Sequence, residues 1–492
     1  MSNKASGDTH FTQQVKSLID KIYGISSAKD SVLARAIAYF DNQFYVQQRL
    51  IEFKGRLEQL NESLATSKGK EAKGIEQKII RLDREQRDLQ ERLTFEREER
   101  YQHLLEICYQ VIELCEANDF VETNRKSAQV LGSIQLLSPT EGKKVPEKNE
   151  QSKPLYRAVL CLRLLDALCI GKAIAEPYIK KYLGEITPDQ FQYFCQTDPD
   201  GYQRFVDYVK VPVLMAAILQ DIGNYHPDAQ EILCGSDGQQ SQFRVLEVED
   251  RKKLLQINYR ETFRYLVDGI GMPAYIGNSK VERELFIERE KEKLAFLKHL
   301  HKTSVNPKNG IGNLLKVPQI YVSIVLSTKA SYNYKLLPKV YQALKQNAER
   351  GHCSQGVVNY LYRITGAFPQ GYGITYIPDD AEGNATDRYE YAIVTQLYPE
   401  NPEYPACRIA TRQLTFISYG QDIVIENRSN LYFAETAKKL ANISKKRLME
   451  ILELLASNYK EREKLDLIPR CWHANEFFSL KDNQKLWNKT VQ

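Results

Sequence analysis

VLMAAILQDIGNYHPDAQEIL, running from Val213 to Leu233, begins as an apolar run and ends in a polar turn. Val213, Ala216, Ala217 and Ile218 or Leu219 fall on helical spacings, which predicts a buried helix after Pro212. Gln220-Asp221-Ile222-Gly223-Asn224 ends it, and His226-Pro227 follows almost at once. The residues by themselves assign Asp221 a helix-terminal role, accepting backbone hydrogen bonds. His226, just before a proline, reads as the capping or packing residue that begins the next helix.

Upstream of this stretch the chain reads as helices. From about Phe11 to Gln47, Val15, Leu18, Ile19 and Ile22 mark one apolar face and Val32, Ala36 and Phe40 the next. Leu50, Phe53, Leu57, Leu60 and Leu64 then step by three and four residues, as a coiled-coil seam does. The seam breaks at SKGKEAKG, with Gly69 and Gly74, and resumes through Ile75, Ile79, Leu82, Leu89 and Leu93, with Gln86 its polar member. Glycine costs about 1 kcal/mol in a helix interior. The break therefore favours an antiparallel helical hairpin, about residues 48–95, over a parallel dimer of two long helices. Such a hairpin serves as a spacer, as a docking surface, or simply packs on its own domain. Tyr101 to Glu116 continues helically, and the polar, proline-flanked SPTEGKKVPEKNEQSKP reads as a linker or exposed loop over 138–154.

Downstream, Leu155 to about Phe368 is mainly helical. Leu155, Val159, Leu162, Leu165 and Leu168 mark a buried helix, and a long charged helix spans Lys280 to Leu300. The period then changes. Gly373–Tyr376, Tyr389–Gln396, Cys407–Ile417 and Asp422–Glu426 alternate and are separated by turn-rich segments, which predicts a small antiparallel β appendage. Helix returns over Ala434 to Tyr459. The only tryptophans, Trp472 and Trp487, lie in the last segment, where they anchor the tail or expose it to a partner.

Composition narrows the class. The 492 residues carry a net charge of only +5, with acidic and basic residues interspersed, so neither nucleic acid nor an anionic membrane follows from charge. Nine cysteines without a CxxC pair point to reduced thiols in a cytoplasmic protein rather than a disulfide framework. No apolar run has the length of a membrane helix, and the amino terminus does not read as a secretory signal. Phosphate loops of the GxxxxGK[ST] type, HExxH and GxSxG are missing from the sequence.

Several short motifs resemble, in order, those of the HD-GYP family of bacterial cyclic di-GMP phosphodiesterases, over roughly Leu155 to Glu426. AAILQDIGNY resembles the family's AALLHDIGK, and HPDAQEIL its HPEIGAEIL. VDGIGMP, from Val267 to Pro273, resembles DGxGYP with Met272 in place of tyrosine. QIYVSIVLSTKA, from Gln319, and SQGVVNYLYRITGAFPQGYGI, from Ser354, resemble the later helices and closing turn. The family holds two or three metal ions on histidines and aspartates and uses a metal-bound water to attack a phosphodiester. Here Gln220 occupies the position of the first histidine, Asn224 that of the lysine, Phe263 and Arg264 those of two further histidines, and Val325 that of a later aspartate. Asp221, His226 and Asp268 are the remaining ligand positions. His299 and His301, two apart on a helix, point to different sides and read as surface residues.

Periodicity and the resemblance together imply a mainly α protein: an HD-like helical bundle, as the resemblance has it, with an amino-terminal hairpin, a small antiparallel β appendage and carboxy-terminal helices. The expected division is a helical domain over 1–137, a linker over 138–154, an HD-GYP-like domain over 155–371, a β appendage over 372–430 and carboxy-terminal helices with the tryptophan tail over 431–492. The expected function is a catalytically inactive signalling or scaffold protein, cytoplasmic, with no catalytic residue and no cofactor. Its partners are proteins bound through the hairpin or tail, with a possible link to cyclic di-GMP, but neither nucleic acid nor inserted membrane. One alternative is a phosphodiesterase with iron or manganese on a reduced site of Asp221, His226 and Asp268. Another is a non-hydrolysing sensor in which Arg260, Arg264 and Tyr265 bind the nucleotide, arginine being suited to both phosphate and base.

Overall fold

A computed structural model describes residues 7–24, 30–308, 310–440, 443–455 and 467–488. It is mainly helical, with a four-stranded antiparallel sheet and a separate two-stranded one. The chain divides into two compact units, each built from separate stretches. One comprises 1–22, 108–218 and 299–492, and the other 23–107 and 219–298. The consecutive domains expected from the sequence are therefore not the units of the fold. Composition along a chain reports local polarity, whereas these units are joined by contacts between distant segments.

In the first unit the central element is helix α1, Val145–Ile170. Leu155, Tyr156, Val159, Leu160, Leu162, Leu164 and Leu165 are all 0% exposed. Because successive residues point all round the helix, burial of this kind means that it is packed on every side. Its first turns overturn the second part of the expected linker, of which only 138–144 is loop. Residues 145–154 are helical despite their polarity, and Pro154 sits inside the helix. Asn149 is buried and donates its side-chain amide to the Ser327 carbonyl at 2.7 Å. A polar segment reads as a loop in the sequence because the partner that buries Asn149 lies far along the chain.

The same helix carries charge into the core. Arg163 Nη2 lies 2.6 Å from Glu116 Oε1 and 3.0 Å from Asp166 Oδ2. Lys210 Nζ donates to both Glu116 oxygens, at 2.7 and 2.8 Å, and Tyr202 Oη to Glu116 Oε2 at 2.9 Å. Burial alone would raise Glu116, but Lys210 and Arg163 overcome it and hold this carboxyl below the ordinary carboxylate range. Asp166, raised by burial and by the neighbouring Glu116, moves the other way despite the same two cations.

The strands fall where the alternation placed them. β1 (Gly373–Tyr376), β2 (Glu390–Val394) and β3 (Ala406–Ile409) are followed by the short pair β4 (Thr411–Arg412) and β5 (Thr415–Phe416), then β6 (Asp422–Val424). The order in the larger sheet is β1-β2-β3-β6, all antiparallel. The segment read as one strand from Cys407 to Ile417 is three, because Gln413 and Leu414 both have positive φ and make a tight hairpin turn. Nor is the sheet an appendage. β1 and β2 are buried throughout, and Ile374, Tyr376, Ala392, Val394 and Cys407 share one core cluster with Tyr334, Leu337 and Phe368.

The tail is stitched onto this unit. Trp472 N donates to Gly373 O at 3.0 Å, and its ring stacks on Tyr391 at 4.7 Å between centroids. Asn475 Nδ2 donates to the carbonyls of Leu136 and Ser138. Trp472 and Trp487 are 6% and 3% exposed, so the tail does not present them to a partner. The helix expected over Ala434 to Tyr459 is observed as Ala434–Lys439 and Lys445–Leu455, with its end beyond Leu455 outside the described residues.

In the second unit helix α2, Val32–Thr66, turns at Ser67–Gly69 into helix α3, Lys70–Cys115, whose last residues belong to the first unit. Gly69 makes the turn at φ +66°, whereas Gly74 stays helical. Phe53 and Leu82 are the buried members of the seam, at 3% and 9% exposure, and its other positions are half-buried. A left-handed backbone costs a residue with a Cβ about 1–2 kcal/mol. Gly69→Ala is therefore expected to lower the hairpin's stability by about that much, read as increased amide exchange around residues 60–80, whereas Gly74→Ala should strengthen the helix.

Candidate functional site

The polar turn that follows Leu219 packs on helix α5, Val248–Arg264, within the second unit. Gly223 N donates to Thr262 Oγ1 at 3.0 Å, and a Cβ on Gly223 would lie 2.3 Å from the Asn258 carbonyl oxygen. The glycine is thus required for close approach of two backbones. Gly223→Ala is expected to cost about 1–3 kcal/mol through the forced separation, measured as a lowered denaturation midpoint.

Asp221 immediately precedes the short 3₁₀ turn Ile222–Tyr225, and its side chain makes no capping bond there. His226 caps the next helix, α4 (Pro227–Cys234), by accepting the Asp228 amide at Nδ1, 3.2 Å away. That acceptor role leaves the proton on Nε2, which lies 3.9 Å from Glu261 Oε2. The imidazole also meets Phe40 edge-on at 5.5 Å. So His226 takes the expected capping role, while Asp221 reaches the helix terminus without the expected cap bond.

Glu261 is the residue that sequence reading missed. It is 0% exposed, and its two oxygens are held by Arg260 Nε at 2.5 Å and Arg264 Nη1 at 3.0 Å. The two arginines expected to face a nucleotide are thus both engaged with a buried carboxylate. A sequence signal existed in the triplet of charges at 260, 261 and 264, but it does not show which of the three turns inward. Glu261→Gln keeps the shape and removes the charge. It is expected to cost about 1–3 kcal/mol, as weakening of two charge-assisted hydrogen bonds would, in a denaturation experiment at neutral pH.

Tyr265, the third expected nucleotide contact, is buried, and burial pushes its hydroxyl up to about 12. It packs edge-on against Tyr39 at 5.3 Å and tilted against Phe40 at 5.6 Å. It is therefore core rather than an available stacking platform. Asp268 lies one turn on, in the π-helical segment Tyr265–Ile270, and is exposed at the rim of a cavity of about 620 Å³ between α2 and α3.

These residues do not fit a metal centre. Among the described residues there is no group of three or more His, Cys, Asp or Glu that could hold a metal ion. Glu261, the most deeply buried acid near His226, is already neutralised by two guanidinium groups, and these would repel a second cation. Gln220 is 4% exposed, with Oε1 lacking a donor in the structure. A single neutral amide oxygen does not offset the charge of a divalent ion. Elsewhere, in the first unit, His299 pairs with Glu176 at 3.4 Å, whereas His301 is buried at 4% exposure rather than on the surface. No described helix is long and apolar enough to cross a membrane. Set against known proteins, the chain matches no family model, no curated protein and no solved structure.

Proposed function

We propose that this chain is a non-hydrolysing relative of HD-type phosphohydrolases, working by binding as a signalling or scaffold protein on an HD-like helical frame. The observation that carries the reading is the fully buried Glu261 clamped by Arg260 and Arg264. A fixed cation, Arg264, stands at one of the positions where the resemblance calls for a metal-ligating histidine, and Arg260 pairs with the same carboxylate. Charge balance at this centre is met without a metal, so it holds structure instead of generating a nucleophile. The partner surface we assign is the hairpin, where Phe44 and Ile51 are both 71% exposed two turns apart on α2. The tail, with its tryptophans buried, is not assigned that role.

Cyclic di-GMP is the ligand the resemblance names and therefore the first substrate to offer. Incubation of the full chain with it, in manganese or ferrous iron, is expected to leave the dinucleotide intact by chromatography. Metal-dependent cleavage that disappears in Asp221→Ala would overturn the proposal.

A further inference from the structure

The second unit's cavity is lined by residues of α2 and α3, with Asp268 at its rim. Arg35, Tyr39, Asn42, Gln43, Arg92 and Arg100 supply most of its polar wall. Arg100 is the telling residue. Its side chain is only 10% exposed, and Nε donates to the Gly269 carbonyl at 2.7 Å. The nearest carboxylate, Glu96, is 4.0 Å from Nη1, and the guanidinium lies over the Tyr39 ring at 5.2 Å. A buried cation with one close carbonyl and no close carboxylate is under-compensated. Burial is the largest effect and lowers its proton affinity; Tyr265, Glu96 and Tyr39 oppose it, and the neighbouring Arg35 adds a smaller lowering.

Arg35 adds a second guanidinium to the same wall, its recorded hydrogen bond being a long one of 3.4 Å to the Asp30 carbonyl. The cavity has acids as well. Glu96, Glu99 and Asp268 line it. Glu96 lies 3.6 Å from Arg92 and 4.0 Å from Arg100, with 45% of its side chain exposed, and Glu99 and Asp268 are exposed. Hydrated carboxylates at a rim are screened, whereas a buried guanidinium is not. The lining thus carries three guanidinium groups against three carboxylates, and Arg100, at 10%, is less exposed than Arg92 or any of the acids.

We infer that this cavity binds a nucleoside monophosphate, its terminal phosphate on Arg35 and Arg100 and its base among Tyr39, Asn42 and Gln43. Arginine forks match phosphate oxygens, and two of them balance the double charge of a phosphate monoester better than the single charge of a diester. The side-chain amides offer a donor and an acceptor each to a base edge, and the volume suits a ligand of this size. The inference does not rest on the non-hydrolysing reading, since these residues are separate from Glu261 and its arginines.

The test is calorimetric titration of the full chain with GMP, AMP, inorganic phosphate and cyclic di-GMP. A nucleoside monophosphate is expected to bind, at least about tenfold tighter than either inorganic phosphate or the cyclic diester, as one charged hydrogen bond more or less would give. Arg35→Gln is expected to weaken it by about tenfold or more. Arg100→Gln risks the contact to Gly269, so Arg35→Gln with an unchanged melting curve is the deciding variant. Arg260→Gln, outside the cavity, is expected to bind normally. Absence of binding by both mononucleotides would overturn the inference. So would binding as tight by inorganic phosphate or the cyclic diester, or full affinity in Arg35→Gln. Loss of binding in Arg260→Gln would move the site to the Glu261 centre and also overturn it. None of these outcomes bears on whether cyclic di-GMP is cleaved.

Discussion

Lys210→Met is expected to destabilise the first unit by about 3–5 kcal/mol, the cost of leaving buried carboxylates without their cation. Lys210 holds both oxygens of Glu116 and lies 3.5 Å from Asp166, with all three side chains at most 5% exposed. Arg163 is the other cation paired with the same two carboxylates. The charge, not the volume, should carry the loss. Adding Glu116→Gln to Lys210→Met is therefore expected to recover part of the stability, and chemical denaturation of both variants measures the recovery. If Lys210→Met melts like the wild type, the cluster contributes nothing to the fold.

The same cluster gives a pH dependence of opposite sign at its two acids. Glu116, held below the ordinary carboxylate range, contributes stability that is present above that range and lost as pH falls through its depressed value. Asp166, held above the range, takes up its proton earlier in the folded state, so acidification through its window favours the fold. The difference in stability between wild type and Glu116→Gln should accordingly shrink only at the acid end. A difference that shrinks already near neutral pH would reassign the ionised partner to Asp166.

Trp472→Ala is expected to cost about 3–5 kcal/mol, the range for removing a large buried aromatic. The indole stacks on Tyr391 with an interplanar angle of 4° and also meets Phe416 and Phe477, at 5.9 and 5.4 Å. Its backbone bond to Gly373 continues the edge of β1. Loss of the ring therefore opens a hole where the tail, the sheet and the short hairpin β4–β5 meet. Thermal melting of the variant, with protease cleavage near residues 467–488 as a second readout, measures both the cost and the release of the tail. An unchanged melting point would mean that the tail is only loosely seated and would restore it as a partner surface.

Periodicity along the chain was enough for much of the architecture. Repeats of three and four from Leu50 to Leu93, broken at Gly69, specify a hairpin because one apolar stripe runs along each arm up to the break. The alternation from Gly373 to Glu426 likewise specifies strands, since residues two apart share a face. Leu155 to Leu168 reads as buried because no polar face interrupts it. In the site, the helix end at Leu219 and the capping role of His226 were legible from a polar turn followed by proline.

What the sequence alone determined about this protein is thus its set of local elements: helices, strands and the hairpin turn. Tertiary structure alone decided which residues share a core or a cavity. Glu116, Arg163, Asp166 and Lys210 meet across nearly a hundred residues, Asn149 finds Ser327, and Arg35 lines one cavity with Arg100. The physical reason is that a charged or polar residue is read from sequence as solvated, because burial is costly in isolation. Only the arrival of a partner from a distant segment offsets that cost, and such a pairing leaves no periodic trace along the chain.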